Sequence, residues 1–366
     1  MGERVKEMKK TLSIIITVII AVAAITACGS SDKTAESTTG SSDNQLYVYN
    51  WGEYIDPEVI TMFEEETGIN VVYDEYETNE IMYPKVAAGA SRYDCICPSD
   101  YMIRKMIQND LLQPLDWSRL PNATANIGKT YMEQSETFDP GNKYSIPYCW
   151  GTVGILYNTT MVDEPVDSWN ILWDPKYKDN ILMQDSVRDA FMIPLIMNGD
   201  SVNTTDPDEL NDALLKLEEQ KPLVQAYVID EVRDKMISGE SALGVIFSGE
   251  ALYTAEENEN LDYAIPKEGT NVWIDSWVIP KNAEHVDNAY TFLNYLARAE
   301  IAKMNFDYIY YPTPNTAAWE LLDDDMKYNS IAFPDLTQYD NLQTYTYLGE
   351  DMDKTYDNLW IKLKSY

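Results

Sequence analysis

An α/β fold in two domains is what this sequence predicts, on three observations. From Leu46 onward, apolar strand-like runs alternate with helical ones, the pattern of a sheet covered by helices. The 366 residues exceed what a single core ordinarily serves and suit two domains of common size. Hydrophobic residues make up 45% of the chain, a globular proportion, and no internal repeat divides it.

Residues 1–27 read as an export signal. Arg4, Lys6, Lys9 and Lys10 give a basic start, and Thr11 to Ile25 a short apolar run. That run falls below the roughly 20 apolar residues a membrane span requires. It ends in Ile25-Thr26-Ala27-Cys28, which resembles a bacterial lipobox, so cleavage before Cys28 and a diacylglycerol on its sulfur are expected. Gly29 to Asn44, rich in Ser, Thr and Gly, is expected to be a flexible tether. Leu46 to Asn50 then forms a strand. Asp56-Pro57-Glu58 supplies an N-cap and a proline at the first helical position, and Gly68 ends that helix. Asn70 to Asp74 and Asp94 to Cys97 read as further strands. Asp206 and Pro207 open a helix toward Gln220, with Leu210, Leu214 and Leu217 on one face. Ala289 to Met304 reads as one more amphipathic helix.

Composition narrows the function. A formal net charge of −34 argues against nucleic acid, which needs clustered Lys and Arg. It also repels anionic lipid headgroups, so any tether must be covalent or apolar. The 27 Tyr and 9 Trp against 7 Phe bias the aromatic content toward rings with a polar tip, suited to sites apolar on one side and wet on the other. Cys95, Cys97 and Cys149 are expected to be buried thiols; with one histidine and no CxxC pair, no metal or cofactor is called for. His285, in a polar stretch, is expected to be solvated. Gly128-Lys129-Thr130 resembles the end of a phosphate loop, but Ala123 stands where its first glycine belongs, and no GxSxG, HExxH or GxGxxG occurs. A lipid-anchored hydrolase would have to work on carboxylates alone.

Two loops draw attention because each directly follows a predicted strand, where open α/β sheets bind ligands. Asn50-Trp51-Gly52-Glu53-Tyr54 and Pro98-Ser99-Asp100-Tyr101 both group aromatic and polar side chains where a core wants neither. Together with Tyr144-Ser145-Ile146-Pro147-Tyr148, Asn203-Thr204-Thr205-Asp206-Pro207, Trp273-Ile274-Asp275-Ser276 and Tyr311-Pro312-Thr313-Pro314-Asn315, they carry a family resemblance. Over Leu46 to Lys364 the chain resembles the spermidine/putrescine-binding proteins of bacterial ABC importers. The resemblance implies a two-lobed, type II periplasmic-binding-protein-like fold, its lobes joined by two crossing strands and closing on ligand. The chain would cross near Trp150 and return near Asp275. Lobe 1 would comprise 45–150 plus about 276–320, lobe 2 151–275, and 321–366 a helical segment packed on both.

The resemblance further implies that Trp51, Tyr54, Ser99 and Tyr101 line the cleft from the first lobe. Trp273 and Asp275 lie at the return crossing, Tyr311 before the Pro-Thr-Pro segment, and Glu53 near one amine end. Three positions depart from the family. The two second-lobe acids of spermidine binders become Ser186 and Asp189, with Asp185 standing beside Ser186 as a substitute. A second-lobe Trp becomes Phe247, which keeps the apolar face and weakens the cation attraction. Glu250 falls where putrescine-type relatives carry an acid.

Such a set suits a polyamine. Each buried ammonium needs a carboxylate or hydroxyl partner, because an unpaired buried charge is very costly. The methylenes between need flat apolar walls, and aromatic rings supply both wall and cation attraction, at roughly 0.5–2 kcal/mol each. Asp275 is expected to pair with an inner amine and Asp189 and Glu53 with others, Glu250 or Asp185 assisting. Trp51, Tyr54, Tyr101, Trp273 and Tyr311 would form an aromatic box with Phe247 as the far wall. Ser99 has a second reading, as the cap of a helix starting at Asp100. A receptor of the same fold for an amino acid would want an Arg for the carboxylate, and one for a sugar more amide side chains. The expected partners are a polyamine, an ABC permease and the membrane that holds Cys28, with the protein a monomer outside the cytoplasm.

Overall fold

A computed structural model describes residues 44–89 and 92–366. The export signal, Cys28 and all but the last residue of the tether lie outside the described residues. Ten strands form one sheet: β1 (Gln45–Trp51), β2 (Asn70–Tyr76), β3 (Cys95–Ile96), β4 (Ser145–Asn158), β5 (Ile181–Gln184), β6 (Val224–Val228), β7 (Leu243–Phe247), β8 (Leu261–Ala264), β9 (Thr270–Val278) and β10 (Leu342–Gln343). Their order is β2-β1-β3-β9-β4-β7-β5-β6, with β8 beside β4 and β10 beside β9. The α/β class follows, since helices connect parallel neighbours at both ends: β2-β1-β3 on one side and β7-β5-β6 on the other.

Local chemistry sets the first helix, Pro57–Thr67. The Asp56 side chain accepts the Glu58 N–H at 2.8 Å, Pro57 takes the first position, and Gly68 ends the helix at φ 70°. Val59 and Phe63 turn inward. The Pro207–Gln220 helix repeats the device with Asp206 as its cap and buries Leu210, Leu214 and Leu217.

β4 and β9 are the centre of the sheet. The first half of β4 runs antiparallel to β9, from Ser145 opposite Val278 to Thr152 opposite Val272. Its second half pairs instead with β7 and β8. A core containing Val48, Phe63, Trp277 and Phe292 covers the β1 side, and one containing Trp169, Phe191, Leu214 and Val245 the β5–β7 side. The C-terminal helix Glu350–Ser365 joins the second core through Tyr356 and Leu363. No helix among the described residues is long and apolar enough to cross a membrane.

Two expectations are corrected. The single helix expected over 289–304 is two, Val286–Leu296 and Ala299–Ile309, broken where Arg298 turns extended. The break is stabilised from outside: the Ala297 carbonyl, freed from the helix, accepts the side-chain amides of Asn126 and Asn315, each at 2.9 Å. His285 is not solvated. Buried Asp94 needs donors, and it takes the backbone N–H groups of Tyr47, Glu284 and His285 with the His285 Nδ1 3.0 Å away.

Candidate ligand-binding site

Asp275 lies mid-strand on β9, opposite Cys149 of β4 on one edge and bridged to Ser99 on the other. Only 4% of the residue is exposed. The Tyr54 hydroxyl donates to its Oδ2 at 2.9 Å, and its Oδ1 has no hydrogen-bond partner. The helix Asp100–Gln108 does start after Ser99, but the Ser99 side chain makes no capping bond. Burial pushes the Asp275 carboxyl up to about 7, while the neighbouring Ser99 and Tyr54 hydroxyls pull the other way.

Rings enclose this carboxylate. Tyr311 stands 5.5 Å from Tyr54 and 5.2 Å from Trp273, centroid to centroid, and Phe247 stands 6.1 Å from Trp273, all edge to face. Trp51 closes the β1 side: its Nε1 donates to the Cys97 carbonyl at 2.9 Å, and its ring lies 4.7 Å from Tyr76 and 6.3 Å from Tyr54. Two glycines admit the rings. A Cβ at Gly151 would stand 2.5 Å from Trp273, and one at Gly249 would stand 2.4 Å from Tyr311. Burial raises the Tyr54 and Tyr311 hydroxyls well above the ordinary phenol range, so both remain protonated donors.

A second polar group surrounds Asp189, which is buried on the helix Val187–Asn198. The Tyr345 hydroxyl donates to it at 2.9 Å. Burial nevertheless raises its carboxyl, and the nearby charge of Glu80 adds to the rise. Glu80 in turn accepts the Tyr101 hydroxyl at 2.8 Å, and the Asn79 amide donates to that hydroxyl at 3.1 Å. Tyr101 packs against cores on both sides of the sheet.

The remaining predicted acids already hold cations. Asp185, the substitute for the missing second-lobe acid, is paired with Lys364 Nζ of the C-terminal helix at 2.8 Å. Glu250 Oε2 is 2.9 Å from Arg233 Nε. Glu53, exposed in a left-handed turn at φ 52°, has its Oε2 3.8 Å from Arg233 Nη2.

Five residues at these groups were not assigned to the site from the sequence. Cys149 has its Sγ 2.9 Å from the Tyr54 hydroxyl. Asp100 is fully buried with Oδ2 unpartnered, and burial holds its carboxyl well above the usual range. Glu80, Arg233 and Tyr345 are the others, each partnered across long sequence separations that no local pattern reveals. Among the described residues there is no metal-binding cluster, and Cys95, Cys97 and Cys149 are buried and unbridged.

Known proteins share this architecture. The family model for bacterial extracellular solute-binding proteins matches residues 58–334. The spermidine/putrescine-binding periplasmic protein of Escherichia coli (strain K12) is 38% identical over 327 residues, 88% of this chain and 92% of its own. A putrescine-binding periplasmic protein of Pseudomonas aeruginosa (strain UCBPP-PA14) is 34% identical over 342 residues, covering 88% and 93%. The crystal structure of a spermidine/putrescine ABC transporter substrate-binding protein from Streptococcus pneumoniae is 43% identical, superposes with a TM-score of 0.79, and covers 88% of this chain and 99% of its own. The two-lobed periplasmic solute-binding fold expected from the sequence is the fold of these structures.

Proposed function

The chain belongs to the bacterial extracellular solute-binding proteins, and on that premise we propose that it captures a polyamine, spermidine or putrescine, and delivers it to an ABC importer. The family supplies substrates to transporters and is not one of enzymes. One observation carries the reading to this chain: a buried carboxylate, Asp275, with an unclaimed oxygen inside a ring of Trp51, Tyr54, Trp273, Tyr311 and Phe247. A lone carboxylate in such a place is costly, and an ammonium at Oδ1 would relieve it. The rings flank the methylenes on either side and attract the charge. Asp189, held by Tyr345, takes a second ammonium, with Tyr101 and Ser99 lining the path between.

The lobes proposed are 45–150 with about 276–320 and 151–275, with 321–366 packed on them. β4 and β9 cross between, so closing on ligand would twist these strands. The body would be a monomer outside the cytoplasm, tethered through lipid on Cys28.

Calorimetry with spermidine, putrescine and spermine, against lysine and a sugar as controls, tests the function. At least one polyamine should bind at micromolar strength or better, a free energy of about −8 kcal/mol. Asp275→Asn should weaken it by about 1.5–3 kcal/mol, the worth of a charged hydrogen bond. Folded wild-type protein that ignores all three polyamines would end the proposal.

A further inference from the structure

Arg233 lies on the short helix Glu231–Ile237, outside every motif of the family resemblance, yet its guanidinium pairs with two of the acids predicted for the site, Glu53 and Glu250. Its partner Glu250 follows Gly249, whose missing Cβ makes room for the Tyr311 ring. The guanidinium also lies over the Tyr253 ring, 5.6 Å from its centroid. Glu53, its second partner, comes from the turn after β1, whereas Glu250 opens the helix after β7. Arg233 therefore ties acids from opposite sides of the sheet with one permanent charge.

We infer that Arg233 is a resident cation of the cleft, which keeps Glu53 and Glu250 as its own counter-ions and so excludes a ligand ammonium from the Tyr311 end. The inference rests on the polyamine reading above. An incoming ammonium at Glu250 would have to sit beside a guanidinium that cannot lose its proton, and the repulsion is strong where water is scarce. At the other end, the guanidinium whose charge acts on Asp189 is that of Arg188, which forms no ion pair among the described residues: it is stacked on Tyr345 and Tyr356 and donates to the Val202 carbonyl and the Asn203 Oδ1. Asp275, Asp189 and Glu80 are thus left for the ligand, which runs from the box toward Tyr101 and not toward Glu250. Arg233 limits how many ammonium groups the cleft accepts, and so discriminates by polyamine length.

Calorimetric affinities for putrescine and spermine, measured on wild type, Arg233→Gln, Arg233→Lys, Glu250→Gln and the Arg233→Gln/Glu250→Gln double variant, test this. Freeing two acids should shift the preference toward the tetraamine at least about fivefold in Arg233→Gln. Arg233→Lys keeps the charge and should keep the wild-type preference. Glu250→Gln should leave wild-type affinities within about threefold and should cancel the gain in the Arg233→Gln background. An unchanged preference in Arg233→Gln, or a loss of about tenfold or more from Glu250→Gln in wild type, overturns the inference. Should Arg233→Gln fail to fold, Glu250→Gln alone decides it by the same threshold. The wild-type titration separates the two levels: no binding of either polyamine fails the functional reading itself, whereas binding with unmoved preference fails only the role of Arg233.

Discussion

Burial holds the Asp275 carboxyl near 7 in the folded chain, against 3.8 for an unperturbed aspartate. Between those values the fold binds a proton that the unfolded chain has released, so the ligand-free protein loses stability as pH rises through that window. The loss, on the order of a few kcal/mol, is complete above about pH 7. Asp275→Asn removes it: its ligand-free melting temperature should exceed that of wild type at pH 8, with the difference vanishing toward pH 4. A melting series that shows no such convergence would count against the buried carboxylate. A bound ammonium selects the ionised form, so polyamine affinity should fall as pH drops below about 7, by up to about tenfold per unit. Near neutrality, capture should release protons, visible as buffer-dependent binding enthalpies. At this scale the sequence grouped rings and acids that sit in contiguous motifs, as with Trp51 to Tyr54 and Trp273 to Asp275, but passed over Asp100 inside one of them. It hid Arg233, Glu80 and Tyr345, whose significance is created only by partners brought from elsewhere in the chain, and it left His285 looking solvated because Asp94 lies far off in sequence.

Elements that carry their own start and stop signals could be read directly. Asp56, Pro57 and Gly68 bound the Pro57–Thr67 helix by local hydrogen bonding and backbone preference alone. The break at Ala297 could not be read, because amphipathic periodicity runs through it and the amides that hold it open belong to Asn126 and Asn315. Gly249 marks a similar limit. In sequence it is one more glycine beside a helix start; in the fold it is the space for the Tyr311 ring. Gly249→Ala should therefore displace that ring and weaken polyamine binding at least about tenfold, with overpacking costing about 1–3 kcal/mol of stability. Titration paired with a urea melt checks both. An alanine that left affinity intact would mean the ring is not a wall of the site.

The molecule as a whole carries a formal charge of −34, and its proposed ligand is a polycation. Long-range attraction should speed encounter and fade as salt shortens the Debye length from about 30 Å at 0.01 M to about 3 Å at 1 M. Stopped-flow association rates for spermidine should fall severalfold or more across that range, while dissociation, governed by buried contacts, changes far less. Equal salt sensitivity in both rates would locate the attraction inside the site instead. The α/β class was legible from the alternation of runs, but the partner of β9's first residues was not. Those residues pair with Leu342 and Gln343 of β10, and Tyr345, just beyond, supplies the hydroxyl on Asp189. A chain emerging amino end first, from a ribosome or a secretion pore, thus has every ring in hand long before it has this clasp. The chamber stays unfinished until residues 342–345 arrive, a delay that suits the exported receptor proposed above, which would be threaded through a membrane before it is asked to grip anything.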